Sequence, residues 1–334
     1  MPVKLSLDDL HGLIVRAIVN AGVIERSAKD VADALTAAEA DGLKGHGASR
    51  VPSYADHARC GKVDGKASPV LHEAGRAGIR VDACMGYAYP ACRQGLDRAA
   101  ELVRETGIVG VAIANSHHFG PAGYHAERMA EKGLVALAFS NSPQAIAPWG
   151  GNRGLYGTNP IAMAVPRVGK PPMVADLSLS KVARGNILVA AQKGEPIPDD
   201  WALAPDGTPT TDPKLALKGT MLPIGGAKGA ALAMMVEILS AALTGSHFGF
   251  EASSFFDNEG GPPAVGQFFL VIDPAPMSGG RFAERIETLF SAILGQDGTR
   301  LPGDRRFALR EKARRDGVEI PDALYQDISA RANA

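Results

Sequence analysis

The chain has 334 residues, and its 35 lysines and arginines nearly balance its 36 aspartates and glutamates, which gives a net charge of −1. Hydrophobic residues make up 46% and charged residues 21%, as in soluble globular proteins. The near-neutral charge argues against nucleic-acid and membrane partners, which need a basic face. The three cysteines form no Cys-x-x-Cys pair, and two aspartates interrupt the N-terminal apolar residues, which together predict a cytoplasmic protein without structural zinc.

Hydrophobic spacing predicts two opening helices, from about Ser6 to Gly22 and from Ser27 to Gly42, followed by a loop at 43–52. Further along the chain it predicts strands at 78–84, 108–114, 134–140, 160–166, 172–178 and 266–274, and helices at 90–106, 122–132, 180–192, 227–243, 280–294, 305–316 and 321–332. Residues 194–223, rich in Pro, Asp, Gly and Thr, are predicted as an ordered surface excursion.

This alternation predicts an α/β fold. Several predicted strand pairs are joined by connections too short for a crossover helix, so a doubly wound parallel sheet does not follow. The two C-terminal helices are expected to pack over the N-terminal pair.

The predicted loop carries a histidine and an arginine four residues apart, His46 and Arg50, among glycines. A guanidinium can bind a carboxylate through two hydrogen bonds, and an imidazole can give or take a proton on the neighbouring oxygen. Histidine suits this task because its ordinary pKa is about 6.5. The pair therefore predicts chemistry on a 2-oxo or 2-hydroxy acid, with a solvated loop as the alternative.

Three further segments are candidates for binding a phosphate. In NSHHFGPAG (115–123), backbone N–H groups at a helix start can approach an anion, although His117 or His118 can equally well bond a neighbouring carbonyl. Lys228 opens an apolar helix, where a lysine opposes the helix dipole unless an anion lies between them; a surface lysine is the alternative. The run RLPGDRR (300–306) is either an arginine clamp for a phosphate or a solvated face.

Asp176 ends the predicted strand at 172–178, between apolar residues. A carboxylate in that position is either a strand-end cap or a group that orients a histidine. The usual motifs of nucleotide-binding and hydrolytic enzymes are missing, since the sequence has no G-x-G-x-x-G fingerprint, Walker loop, H-E-x-x-H or G-x-S-x-G.

Six segments instead resemble, in order, the type-2 malate/L-lactate dehydrogenase family, whose members are NAD(P)-dependent oxidoreductases without a Rossmann fold. They are GHGASRVPSYADHARCGKVDG, NSHHFGPAG, PWGGNRGLYGTNPIAMAVP, DLSLSKVARG, PDGTPTTDP and GGAKGAALAMMVEIL. The resemblance implies a mostly antiparallel central sheet with surrounding helices and a helical region from both chain termini. It also implies a helical substrate region at 1–75 joined by 305–334, an NAD(P)-binding α/β domain at 76–304, and a homodimer.

By the same resemblance, His46 is the proton donor and acceptor, Asp176 orients its imidazole, and Arg50 binds the substrate carboxylate. His118 and Ser142 are expected near the substrate, and no metal is expected. The cofactor, NAD or NADP, is expected to contact His118, Phe119, Gly120, Pro121, Ala122, Asp176, Leu177, Ser178, Lys228, Gly229, Pro302, Gly303 and Asp304.

Two residues depart from the family pattern: Gly45 stands where many relatives have a serine before the histidine, and Ala204 where they have aspartate. Without that serine, Asp176 is expected to reach His46 directly or through a water. The motifs GHG and DLSLSKVARG look most like the sulfolactate dehydrogenase branch.

The implied function is hydride transfer between a nicotinamide and C2 of a small 2-hydroxy or 2-oxo acid of the sulfolactate, malate or lactate type. One alternative is a reductase of the cyclic imines Δ1-piperideine-2-carboxylate and Δ1-pyrroline-2-carboxylate. The other is a catalytically silent nucleotide-binding protein.

Overall fold

The fold is taken from a computed structural model that describes all residues, 1–334. Its helices are α1 (Leu7–Val19), α2 (Glu25–Ala40), α3 (Val51–Cys60), α4 (Ala88–Thr106), α5 (Ala122–Glu131), α6 (Arg184–Lys193), α7 (Pro213–Lys218), α8 (Ala227–Glu237), α9 (Pro274–Met277), α10 (Phe282–Leu294), α11 (Asp304–Asp316) and α12 (Asp322–Ala332). Its strands are β1 (Val3–Leu5), β2 (Val70–Glu73), β3 (Gly78–Asp82), β4 (Ile108–Ser116), β5 (Val135–Ser140), β6 (Ile161–Val165), β7 (Met173–Leu177), β8 (Ala202–Leu203), β9 (Thr220–Met221), β10 (Val265–Ile272) and β11 (Val318–Ile320).

A seven-stranded sheet with the order β2-β3-β4-β10-β5-β6-β7 forms the centre of the molecule. Only β3 and β4 run parallel, and they are joined by the crossover helix α4, as a parallel pair requires. All other neighbouring strands are antiparallel. The prediction of a mostly antiparallel, non-Rossmann sheet is confirmed.

Alternation along β4 shows how the sheet acquires its core. Val109, Val111 and Ile113 are fully buried, and they belong to the same apolar cluster as Leu96 and Val103 of α4. A strand whose alternate residues are β-branched and apolar buries one continuous face against a helix.

A second apolar cluster lies among the terminal helices. It combines residues of α1, α2 and α3 with Ala313 and Val318 near the end of α11, and with Ile328 of α12. Strand β1 pairs antiparallel with β11, so the two chain ends are also joined by backbone hydrogen bonds. The expectation that the C-terminal helices pack over the N-terminal pair is confirmed.

Several local predictions need correction. The loop predicted at 43–52 consists of two 3-10 turns, Lys44–His46 and Ala48–Arg50, that run directly into α3. The helix predicted at 180–192 begins only at Arg184, because Ser180 bridges to Pro223 in extended conformation. The long apolar helix changes to π geometry at Ile238–Ala242. None of the helices combines the length and apolar character needed to cross a membrane.

Candidate active site

His46 lies on the turn between α2 and α3, and a buried carboxylate holds this turn in place. Glu39 of α2 accepts a hydrogen bond from the Ala48 N–H at 3.0 Å. A Cβ on Gly47 would lie 3.1 Å from the Glu39 Cα and would collide with its carboxylate, so only glycine fits there. Arg50 donates from Nε to the Gly45 carbonyl at 2.7 Å, which closes the turn and leaves both Nη groups of Arg50 available for a ligand.

The imidazole of His46 stacks on that of His118, with ring centroids 5.6 Å apart and an interplanar angle of 21°. His118 is held from the other side, because its Nδ1 lies 2.6 Å from the Tyr54 hydroxyl, which is itself 3.0 Å from the Tyr89 hydroxyl. The structure thus brings together His46 and His118, which are 72 residues apart in the printed sequence. Sequence reasoning did not identify Tyr54 or Tyr89.

Both imidazoles favour their neutral form. Burial, helped by the positive charge of Arg50, lowers the pKa of His46 to about 4. Burial and the same charge lower the pKa of His118 well below its usual value. A loss of solvation penalises the charged form of a histidine, and a nearby cation adds to that penalty. At neutral pH His46 is therefore a free base beside a fixed positive charge.

A buried lysine, Lys62, anchors the loop at 254–259, which packs against His118 through Phe255. The Lys62 side chain is fully buried, and its Nζ donates to the carbonyl oxygens of Ser254 and Glu259 at 2.7 Å and of Asp257 at 3.0 Å. These bonds satisfy a charge that would be costly to bury alone. They fix the loop that carries Phe255 and Phe256.

Two arginines approach the same aromatic ring of this loop. The Cζ of Arg50 lies 5.3 Å from the ring centroid of Phe256, and the Cζ of Arg184 lies 5.9 Å from it. Phe255 packs against His118, with ring centroids 5.2 Å apart. Arg184 belongs to the conspicuous segment DLSLSKVARG, but the sequence alone gave it no role, and nothing in the sequence indicated Phe256.

Asp176 lies at the end of β7 and caps the start of α5. Its Oδ2 accepts a hydrogen bond from the Gly123 N–H at 2.8 Å. Loss of solvation raises the pKa of Asp176, and this bond and the charge of Arg306 oppose the rise. No hydrogen bond joins Asp176 to His46, so the direct contact expected from the sequence is absent from the structure.

Four segments were predicted to contact the cofactor, and three of them, 118–122, 176–178 and 302–304, lie together near Asp176. The Val174 N–H of β7 donates to the Pro302 carbonyl at 3.2 Å, and Gly303 lies against the same strand. The start of α5, which follows His118–Pro121, is joined to β7 through Asp176. The fourth segment begins α8, and its preceding turn contacts the chain just beyond β7 through the Ile224 N–H and the Leu179 carbonyl at 2.8 Å.

The starts of α5, α8 and α11 share a feature that suits an anionic nucleotide. In none of them does the side chain of the N-cap residue itself bond the first turn. The Gly123 N–H of α5 is taken by Asp176 and the Asp304 N–H of α11 by the Leu301 carbonyl, and the unbonded N–H groups at these helix starts suit an anion. A Cβ on Gly123 would lie 3.0 Å from the Asp176 carboxylate and 3.1 Å from Arg306, so α5 packs closely against β7 and α11 at this glycine. Lys228 is exposed and makes no ion pair. These residues fit the pyrophosphate and ribose groups of a dinucleotide.

Neither of the two alternatives for the run 300–306, an arginine clamp for a phosphate or a solvated face, holds for Arg306. Arg306 and Arg310 form ion pairs with Asp41 and Glu127, both buried. This cluster joins α2, α5 and α11, so the positive charge of Arg306 is already compensated within the protein.

The predicted substrate residue Ser142 lies in the segment after β5. Its hydroxyl accepts a hydrogen bond from the Thr158 N–H at 3.1 Å, and no hydrogen bond links it to His46 or Arg50.

Comparisons with known proteins agree with this fold. The family model described as malate/L-lactate dehydrogenase matches residues 5–329. A (2R)-3-sulfolactate dehydrogenase (NADP(+)) of Chromohalobacter salexigens is 55% identical over 328 residues, which cover 98% of each chain. The crystal structure of Δ1-piperideine-2-carboxylate reductase from Pseudomonas syringae superposes with a TM-score of 0.93 at 39% identity, covering 98% of this chain and 99% of that one. A sulfolactate dehydrogenase from Methanocaldococcus jannaschii gives a TM-score of 0.91 at 30% identity, covering 99% and 97%.

The fold and the relatives are those of a non-Rossmann, NAD(P)-dependent oxidoreductase. The chain belongs to the malate/L-lactate dehydrogenase family, as its six motifs predicted.

Proposed function

We propose that the protein catalyses reversible hydride transfer between NADP(H) and C2 of a 2-hydroxy or 2-oxo acid of the sulfolactate, malate or lactate type. The observation that carries this proposal is a neutral His46 next to Arg50, a guanidinium with no acidic partner and two free Nη groups. The 55% identical relative, a sulfolactate dehydrogenase that uses NADP(+), supports the substrate and the cofactor.

Arg50 binds the substrate carboxylate through its two Nη groups, since a planar guanidinium matches the two oxygens of a carboxylate. His46 then exchanges a proton with the oxygen on C2. In the oxidation direction His46 accepts the hydroxyl proton as the C2 hydride leaves; in the reduction direction it returns a proton to the oxygen. With NADP(H) held at the proposed cofactor site, its nicotinamide would supply or accept the hydride, so atoms and charge balance without a further reactant.

Substrate binding also adjusts the proton affinity of His46. The positive charge of Arg50 helps to lower the pKa of His46 in the free protein. A bound carboxylate compensates that charge, so the pKa of His46 rises in the complex. A histidine whose pKa moves toward neutrality serves both directions of the reaction.

We further propose roles for the remaining predicted residues. His118, fixed by Tyr54, contacts both substrate and nicotinamide, and Ser142 lies at the edge of the same cleft. The backbone of the segment from His118 to Ala122, the Lys228 turn and the Pro302–Asp304 turn bind the cofactor. Asp176, Leu177 and Ser178 lie beside the cofactor at the end of β7. Asp176 also orders the start of α5, and any influence of Asp176 on His46 passes through that segment or a water.

The division of the chain into residues 1–75 with 305–334, and residues 76–304, is likewise a proposal. It is supported by the two separate apolar clusters, although Tyr87 and Tyr89 from the second region belong to the first cluster.

We also propose a cytoplasmic homodimer. The three cysteines are free, which suits a reducing compartment. The helix α8 and the π turn after it expose several large apolar side chains, which is typical of an interface between subunits. They are Leu232, Met234, Met235, Ile238 and Leu243. Light scattering after size-exclusion chromatography tests the dimer.

Cyclic-imine reduction is the second candidate, because a Δ1-piperideine-2-carboxylate reductase superposes so closely. The test offers sulfopyruvate, oxaloacetate, pyruvate and Δ1-piperideine-2-carboxylate with NADPH and with NADH, and follows oxidation of the cofactor. The proposal predicts the highest kcat/KM with a 2-oxo acid and NADPH. Turnover of the imine alone contradicts it in favour of the second candidate, and NADPH binding without any turnover identifies a silent nucleotide-binding protein.

A further inference from the structure

Two guanidinium groups from distant parts of the chain approach the ring of the loop residue Phe256. Arg50 lies on the turn before α3, and Arg184 is the first residue of α6. Their Cζ atoms are 5.3 Å and 5.9 Å from the same ring centroid. A cation over an aromatic ring is stabilised by the ring quadrupole, so Phe256 stabilises both guanidinium groups near its ring.

Neither arginine has an acidic partner. Arg50 makes a hydrogen bond only through Nε, to the Gly45 carbonyl. Arg184 makes one through Nη2, to the Leu217 carbonyl at 3.2 Å. Both side chains are half-buried, and burial lowers the pKa of Arg184. Elsewhere in the protein, half-buried arginines such as Arg310 and Arg331 are compensated by carboxylates.

Two arginines that are partly desolvated and have no carboxylate partner cost free energy until each of them meets an anion. The dipole of α6 adds to the positive electrostatic potential at Arg184, because Arg184 is the first residue of that helix. One carboxylate satisfies one guanidinium, which is the role proposed for Arg50. The guanidinium of Arg184 is then compensated only if the same ligand carries a second negative group.

We propose that Arg184 binds a second anionic group of the substrate, carried on C3 or beyond, while Arg50 holds the C1 carboxylate. This proposal rests on the proposed function and names its substrate class: 2-oxo and 2-hydroxy acids with an additional sulfonate or carboxylate. Monoanionic acids and cyclic imine carboxylates leave Arg184 without an anion. Phe256 acts as a positioning residue that holds both guanidiniums near its ring.

The kinetic test compares the wild-type protein with Arg184→Gln and Arg184→Lys, using NADPH and either the dianion sulfopyruvate or the monoanion pyruvate. Lys193→Gln, at the exposed end of the same helix, is the matched control. We expect Arg184→Gln to raise KM for sulfopyruvate and to lower the ratio of its kcat/KM to that of pyruvate by about 10- to 100-fold, the value of a lost charge-assisted contact. Arg184→Lys restores part of the ratio, and Lys193→Gln keeps it.

A binding measurement separates this role from the reaction itself. Calorimetric titration of the protein with NADP+ bound uses 3-sulfopropanoate, which has both anions but no oxygen on C2, and propanoate as its monoanionic counterpart. We expect Arg184→Gln to remove the preference for 3-sulfopropanoate. An unchanged preference, or equal kinetic losses on sulfopyruvate and pyruvate, overturns the role of Arg184. If the wild-type protein reduces no 2-oxo acid, the proposed function fails, and the titration alone still decides whether Arg184 binds a second anion.

Discussion

His46 illustrates how a single side chain acquires its chemistry from its surroundings. The same imidazole on a solvated loop would have a pKa of about 6.5. Burial and the neighbouring Arg50 lower it to about 4 in the ligand-free protein. The neutral form therefore persists over the whole physiological range, so His46 is available as a base.

The pH dependence of kcat/KM for oxidation of a 2-hydroxy acid tests this environment, since kcat/KM reports groups of the free enzyme. Because the pKa of His46 is lowered, the basic form remains available as the pH falls. We expect kcat/KM to stay level down to about pH 5 and to fall below that, as His46 takes up a proton. Circular dichroism over the same range is the control for unfolding. A break near the ordinary histidine pKa would show that His46 is solvated or is not the base.

At the scale of elements, the site depends on how tightly the turn between α2 and α3 packs. Gly47 touches Glu39 so closely that no side chain fits, whereas nothing lies within 4 Å of a Cβ on Gly45. The absence of a serine at Gly45 is therefore not imposed by a lack of space. The turn is shaped by the bond from Ala48 to Glu39.

These two glycines form a matched pair of variants. Gly47→Ala is expected to destabilise the protein by about 1–3 kcal/mol, as overpacking does, and to lower kcat/KM because it displaces His46. Gly45→Ala is expected to change the free energy of unfolding by less than about 0.5 kcal/mol. Urea unfolding of both variants measures the difference. Equal stabilities would mean that the turn relaxes freely and does not hold His46.

The sequence predicted what is local and could not predict what is brought together by folding. That His46 and Arg50 act together could be predicted because both lie on one short segment. Arg50 and Arg184 approach the same residue, Phe256, only because of the loop anchored by Lys62, and no periodicity connects residues so far apart. The sequence predicted Asp176 as a carboxylate at a strand end. Its hydrogen-bond partner, the Gly123 N–H, could not be predicted, because that contact depends on how β7 packs beside α5. Arg306 looked available for a phosphate because the sequence does not show that Glu127 faces it.

At the scale of the whole molecule, the terminal helices and the sheet are joined next to the site. The cluster of Asp41, Glu127, Arg306 and Arg310 connects α2, α5 and α11. The turn with His46 follows α2, and the proposed cofactor segment precedes α5. The cluster therefore sets the distance between the proposed proton-transfer residue and the proposed cofactor site.

Removing one positive charge from this ion-pair cluster should weaken the connection between α2, α5 and α11. Arg310→Met leaves Asp41 and Glu127 with less compensation, and we expect a loss of about 3–5 kcal/mol, as for other broken buried ion pairs. Arg315→Met is the control, because Arg315 is exposed on the same helix and pairs only with its neighbour Asp316. Urea unfolding gives both values. A loss no larger than that of Arg315→Met would show that the cluster does not stabilise the fold.

The most direct measurement of the account compares wild-type protein and His46→Ala in two assays on the same preparation: turnover of sulfopyruvate with NADPH, and NADPH binding by fluorescence. Removal of a positioned acid and base is expected to lower kcat by about 100- to 10,000-fold, while the Kd for NADPH stays within a few-fold of wild type. Near-normal turnover in His46→Ala would contradict the account, because the proton would then come from elsewhere.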